Sequence, residues 1–185
     1  MADDASDPWV FGYGSLVWRP AFEHLERAPG AIRHFARRFW QGSPDHRGEP
    51  HAPGRVVTLV PEPGAVCWGM GYRVSRRVFE EVVVALDERE SGGFERLEVE
   101  LRFADAGRRP TPALVYVAPE GNPNFLGPAS HDEMVAQVVS ARGKSGANTE
   151  YVLRLAESLR ALDVEDDHVF RLADAVAAHL SGRAG

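Results

Sequence analysis

Apolar and polar positions change period several times along the chain, and the changes predict its elements. Trp9 to Tyr13 (WVFGY) is an aromatic and β-branched run ending in Gly14-Ser15, the pattern of a buried strand entering a turn. Arg33 to Trp40 (RHFARRFW) interleaves arginine with aromatics, as in a strand with one polar face or an irregular crossing segment. Gln41 to Gly54 is broken by repeated proline and glycine and reads as a long loop. Arg55–Val60 and Ala65–Val74 flank Pro61-Glu62-Pro63-Gly64 and predict a β-hairpin, with Gly69 and Gly71 marking bends in its second strand. From Ser75, a plausible N-cap, to about Arg89 the apolar residues Val78, Phe79, Val82, Val83 and Leu86 recur at helical spacing, and Ser91-Gly92-Gly93 stops them. Phe94 to Phe103 alternates Leu97, Val99, Leu101 and Phe103 with charge, and Ala113–Ala118 follows as another strand. Three helices close the pattern, at about His131–Ala141, Thr149–Leu162 and Asp166–Leu180.

Strands, one inserted helix, two more strands and a helical tail predict an α+β fold. Its mostly antiparallel sheet is expected to curl into a small β-barrel with surrounding helices. Residues 9–181 read as a single domain behind an acidic N-terminal tail at 1–8, expected to be disordered or frayed. That tail has no basic or apolar region of a secretory signal, and no apolar run approaches the ~18 residues that span a bilayer. A cytoplasmic location and no membrane partner are expected.

Composition narrows the chemistry. Across 185 residues there are 21 Lys+Arg against 27 Asp+Glu, a net charge of −6, which disfavours a polyphosphate partner, so no nucleic acid is expected. The single cysteine, Cys67, excludes an internal disulfide and a cysteine-built zinc site, and its apolar neighbours mark it as an inert structural thiol.

Phe11-Gly12-Tyr13-Gly14-Ser15-Leu16 lacks the third glycine of a dinucleotide fold. It is either a tight turn or a strand end whose unshielded N–H groups address a ligand. A serine hydrolase built on Ser15 ranks low, because the glycine two positions after the nucleophile is missing. Asp87-Glu88-Arg89-Glu90 crowds acids at the unfavourable end of a helix dipole; most such runs are solvated, but one carboxylate turned into a pocket becomes a usable general base. In the loop Trp40–His51, Asp45, His46 and His51 make a weak metal set, whereas Arg47 has the planar fork that grips a carboxylate.

Five blocks in order, WVFGYGSLVW at Trp9–Trp18, RRFWQGSPDHRG at Arg37–Gly48, PGRVVTLV at Pro53–Val60, LDERESGGF at Leu86–Phe94, and NPNFLGPA with GANTEYV beyond, resemble the ChaC-type γ-glutamylcyclotransferases over about Trp9 to Leu180. The resemblance implies a carbon–nitrogen lyase of the cyclising, amidine-lyase type. It would convert glutathione to 5-oxoproline and cysteinylglycine without metal or organic cofactor, on a small barrel with helices around it. It also implies that Glu90 is the catalytic base, that Tyr13, Gly14, Ser15 and Leu16 form the γ-glutamyl-binding loop, and that Arg47 and Ser43 bind substrate. Ser91 and Phe94 depart from the lysine and tyrosine common in that family. Turnover of other γ-glutamyl peptides or amines, and a non-catalytic γ-glutamyl-binding module, are the alternatives; a monomer or weak dimer is expected.

Overall fold

The computed structural model describes residues 7–182. Five strands close into a barrel in the order β1-β3-β2-β4-β5. They are β1 (Trp9–Gly12), β2 (Glu26–Ser43), β3 (Gly54–Arg73), β4 (Glu95–Phe103) and β5 (Thr111–Val117). The helices are α1 (Phe79–Arg89), α2 (His131–Ser140), α3 (Asn148–Ala161) and α4 (Asp167–Gly182). A two-residue hairpin, β6 (Arg142–Gly143) with β7 (Gly146–Ala147), precedes α3. Antiparallel pairing dominates, and the barrel closes through one parallel pair, β1 with β5, at Trp9↔Ala113 and Val10↔Leu114. The expected α+β barrel with helices is the observed class.

The described residues form two compact units, 7–36 with Pro61–Val117, and Arg37–Val60 with 118–182. In the first, α1 lays Val82 and Leu86 against Val10, Leu16, Val74 and Tyr116 in a dry core. Two glycines set how closely the strands approach there: a Cβ on Gly69 would stand 2.2 Å from the carbonyl oxygen of Gly12, and one on Gly12 would stand 2.5 Å from Leu16 Cβ. In the second unit, Tyr151 of α3 reaches β3, its phenol accepting the Val57 N–H at 3.4 Å, and its ring meets Phe39 of β2 edge-on at 6.3 Å. Asn148 clamps the Arg55 backbone in both directions, accepting its N–H at 2.6 Å and donating to its carbonyl at 2.8 Å. Ser130 and Glu133 form a reciprocal capping box at the start of α2.

Four local expectations need correction. Arg33–Trp40 is part of one 18-residue strand that also takes in Gln41–Ser43 and is irregular at His34, φ +67°, so the loop is shorter than read. Pro61–Gly64 is not a hairpin turn but an irregular stretch inside β3, where Gly64 takes φ +85° and donates its N–H to His34 Nδ1 at 3.2 Å. Ser75 does not cap α1; the helix begins four residues later, at Phe79, without a side-chain cap, and the Ser75 hydroxyl accepts from the Arg77 N–H within a turn. Residues 1–6 of the expected tail lie outside the described residues, while Asp7 and Pro8 are held. Asp7 pairs with Arg73 at 3.2 Å, and the Pro8 carbonyl accepts the Val74 N–H at 2.9 Å.

Candidate active site

Glu90 occupies the residue that ends α1. Its N–H donates to the Leu86 carbonyl at 2.8 Å, and its own carbonyl accepts the Phe94 N–H at 3.3 Å, so the backbone beneath the carboxylate is tied on both sides. Gly93 makes the return possible by adopting φ +105°, a conformation L side chains rarely take. The second glycine is not required in that way, since a Cβ on Gly92 meets open space.

The acids competing with Glu90 are disposed of differently. Glu88 is exposed. Asp87 is 39 % exposed and already engaged, accepting the Tyr116 phenol at 2.6 Å and pairing with Arg96 at 3.2 Å. Glu90 is only 17 % exposed, and burial pushes its carboxyl above the ordinary 4.5 while the neighbouring guanidinium of Arg89 pulls the other way. Of the three, Glu90 is the most shielded, and burial raises its basicity.

The segment after β1 lies close by. Ser15–Val17 forms a single 3-10 turn, and the side chains on either side of Ser15 are turned inward. Leu16 sits in the dry core, and Tyr13 is buried with its hydroxyl donating to the Tyr116 carbonyl at 2.7 Å. Tyr72, its acidity weakened by burial to about 12 and therefore firmly protonated, donates to the carbonyls of Leu16 at 2.5 Å and Val17 at 3.3 Å. These bonds fix the loop by its side chains and carbonyls. Within the turn the Val17 N–H bonds the Gly14 carbonyl at 3.0 Å, and Ser15 is half-buried.

Arg89 joins loop and base. Its Nη2 donates to Ser15 Oγ at 2.7 Å, its Nη1 to the carbonyls of Arg19 at 3.1 Å and Pro20 at 3.3 Å, and its Nε stands 3.4 Å from Glu90 Oε1. Glu90, Tyr13, Gly14, Ser15 and Leu16 are thus brought together in one unit. Arg89, Tyr72 and Tyr116, which hold them there, were not singled out from sequence; Arg89 was readable only as one more charge in DERE.

Ser43 and Arg47 belong to the other unit and are together there. Ser43 Oγ accepts the Arg47 N–H at 3.0 Å. The Arg47 guanidinium donates to the Ala147 carbonyl at 3.1 Å, stands 3.4 Å from Glu150 Oε2, and lies 5.8 Å from the Tyr151 ring centroid. It therefore braces the 44–53 loop against the start of α3, whatever else it binds. Gly48 and Gly54 let that loop fold tightly, a Cβ on Gly48 meeting the Gly54 nitrogen at 2.1 Å. Asp45 and His46 meet at 3.5 Å, but the pair does not gather with His51 into a metal set. Asp45 pairs with Lys144 at 3.1 Å, His46 meets Ser145 Oγ at 2.8 Å, and His51 meets Glu49 at 3.2 Å. Among the described residues no group of three or more His, Cys, Asp or Glu is arranged to hold a metal ion.

The chain as a whole has counterparts among known proteins. The family described as ChaC-like protein matches residues 8–179. The chain belongs to the ChaC-like family. The zebrafish (Danio rerio) glutathione-specific gamma-glutamylcyclotransferase 1 is 42% identical over 177 residues, covering 94% of this chain and 90% of that one. The human protein of that name is 42% identical over 176 residues, covering 93% and 79%. Among solved structures, the yeast glutathione-specific γ-glutamylcyclotransferase superposes with a TM-score of 0.87 at 30% identity, over 94% of this chain and 96% of that one. The barrel of this ChaC-like chain is thus a fold on which that activity is known.

Proposed function

We propose that this ChaC-like chain is a glutathione-specific γ-glutamylcyclotransferase, releasing 5-oxoproline and cysteinylglycine. The observation that carries the reading is the shielded carboxylate of Glu90, kept more basic than an ordinary glutamate and joined through Arg89 to the Ser15 loop. Its relatives' names supply the substrate; the geometry supplies a chemistry suited to it.

The α-amine of the γ-glutamyl group must attack its own side-chain carbonyl, closing a five-membered lactam. Near neutral pH that amine, with an ordinary pKa of about 8, is largely an unreactive ammonium. Glu90 removes its proton. A base whose pKa has moved up toward that of the donor is better matched for the transfer than a solvated carboxylate. The free amine then adds to the carbonyl and charge develops on oxygen; the attacking nitrogen gives up its second proton as the amide C–N bond to cysteine breaks, and the departing cysteinyl amine leaves as an ammonium, having taken up both protons by way of Glu90. No external nucleophile and no cofactor enter this scheme. Amide hydrogens of Gly14, Ser15 and Leu16 are suited to an anionic oxygen, the substrate carboxylate or the developing oxyanion. Tyr13 serves by holding that loop rather than by presenting its hydroxyl, and Arg47 and Ser43 bind the remaining substrate polar groups. Holding the glutamyl chain curled adds the advantage of an intramolecular reaction.

On this reading the enzyme is cytoplasmic, where glutathione is abundant, acts as a monomer or weak dimer through one functional domain at 9–181, and has neither nucleic-acid nor membrane partners. The deciding experiment incubates purified protein with glutathione and follows cysteinylglycine and 5-oxoproline by mass spectrometry. Release by wild type and its loss in Glu90→Gln is expected; a wild type that releases neither product overturns the reading. One rival keeps the chemistry but changes the substrate, because a 39% identical relative from Arabidopsis thaliana is named simply gamma-glutamylcyclotransferase 2-3. Parallel turnover of glutathione and γ-glutamylalanine separates the two.

A further inference from the structure

We propose, on the cyclotransferase reading above, that Arg89 is a positioning residue of the reaction: its guanidinium holds the Glu90 carboxylate and the Ser15 hydroxyl in fixed relation and makes Ser15 a hydrogen-bond donor to substrate. The geometry is that of a fork used on three sides. Nη1 is anchored to two backbone carbonyls, those of Arg19 at 3.1 Å and Pro20 at 3.3 Å, which belong to the segment following the Ser15 turn. Nη2 donates to Ser15 Oγ at 2.7 Å, and Nε faces Glu90 Oε1 at 3.4 Å. A planar, permanently charged group held by carbonyls cannot swing independently of the loop, so both functional side chains are indexed to one rigid frame.

The direction of the Ser15 bond has a chemical consequence. An arginine has donors and no acceptor, so Ser15 Oγ is the acceptor in this pair and its own proton must point elsewhere. A hydroxyl whose lone pair is occupied by Arg89 offers its O–H to an incoming carboxylate or carbonyl oxygen, beside the loop amides. The same cation moderates the base. Around Glu90 the interacting titratable groups are Arg89 on the same helix end, which opposes the effect of burial, and Tyr116 from β5, whose own acidity the Glu90 charge weakens further. Arg89 thereby opposes the rise that burial imposes on the Glu90 carboxyl, without exposing it to water.

The test is steady-state turnover of glutathione across pH by wild type, Arg89→Ala and Arg89→Lys, with thermal melting of each. Wild-type turnover must be present first; its absence refutes the cyclotransferase reading and not the role of Arg89 within it. Given turnover, Arg89→Ala is expected to lose about a hundredfold in kcat, the scale of a misplaced catalytic group. The acid limb of its kcat/KM profile should move to higher pH, because the cation opposing burial is gone. Added guanidinium ion should restore part of the lost rate. Arg89→Lys keeps the charge but not the fork, and serves as the deciding variant if the alanine protein does not fold. Its kcat is expected to fall at least tenfold with the acid limb near that of wild type. A folded Arg89→Lys within twofold of wild type in kcat overturns the proposal, as does a folded Arg89→Ala whose loss lies in KM alone.

Discussion

The Tyr116 phenol donates to Asp87 Oδ1 at 2.6 Å, and the backbone carbonyl of the same tyrosine accepts the hydroxyl of Tyr13. One residue of β5 therefore ties the helix that carries the base to the segment that follows β1, and in doing so occupies the nearest rival carboxylate. Burial and this bond to Asp87 together push the Tyr116 hydroxyl well above the usual phenol range, so it remains a donor at every physiological pH. Tyr116→Phe is expected to lower folding stability by about 1–2 kcal/mol, the range for a buried hydrogen bond to a carboxylate, while cyclisation survives. Urea denaturation of the two proteins measures it, and equal midpoints would show that the bond contributes nothing.

Removing the two neighbouring acids separates base from bystander. Glu90→Gln is nearly isosteric and cannot accept a proton; kcat should drop by about 10²–10⁴, the usual contribution of a general base. Glu88→Gln changes only an exposed carboxylate and should remain within about twofold of wild type. If the two variants exchanged phenotypes, the assignment of the base would move two residues along the chain.

Because burial holds the Glu90 carboxyl above 4.5, the ionised form is disfavoured by folding. A pKa raised on folding contributes stability that is complete below the unfolded value and is lost as pH rises through the folded one. The ionised form of Glu90, which the proposed reaction uses, is thus a burden on the fold. Glu90→Gln should melt at a higher temperature than wild type at pH 7.5, with the difference closing in acid. A variant that melts lower at pH 7.5 contradicts this.

His168 gives the opposite sign in the other unit. Its Nε2 accepts the Phe39 N–H at 3.0 Å and its ring stacks on Phe39 at 5.7 Å, so the folded state needs the neutral imidazole. Burial, with Arg38 adding to it, depresses its pKa to about 4. Stability from this group is present above the unfolded value of about 6.5 and is lost as pH falls toward about 4, with a slope of at most about 1.4 kcal/mol per pH unit. His168→Gln keeps an acceptor for Phe39 and should flatten that part of the profile. Denaturation midpoints at pH 7, 5.5 and 4.5 provide the comparison, and parallel slopes would exclude His168 as the source.

A single Cβ at the strand crossing should be poorly tolerated. In Gly69→Ala the added methyl would meet the Gly12 carbonyl oxygen at 2.2 Å and the Phe11 ring at 2.9 Å, and neither can withdraw without parting β1 from β3. A destabilisation of about 3 kcal/mol or more is expected, against almost none for Gly92→Ala, where the space is open. Thermal melting of the pair reads the contrast.

What could be read from the chain follows the reach of each interaction. The apolar spacing of Val82, Val83 and Leu86 and the alternation from Leu97 to Phe103 are local patterns, and both elements are where they were expected. The burial assumed for that alternation is only partly realised: Leu101 is fully buried, but Leu97 is 41% exposed. Pro61–Gly64 misled because its composition is that of a turn, whereas the continuation of β3 is decided by its neighbours in the sheet. Glu90 and the small-residue loop were singled out through the family blocks they belong to. Arg89 was not, because its partner Ser15 lies 74 positions away and nothing in either neighbourhood announces the other.

The seam between β1 and β5 also constrains how the protein is made. Trp9 and Val10 are synthesised early, yet their parallel partners Ala113 and Leu114 leave the ribosome about a hundred residues later. Until then one side of the opening strand has no ladder to join, and a nascent chain halted before β5 displays an unpaired apolar edge. Assembly of the loop that carries Ser15 must therefore wait for the last stave of the barrel, which makes stalled or prematurely terminated chains both inert and prone to aggregate.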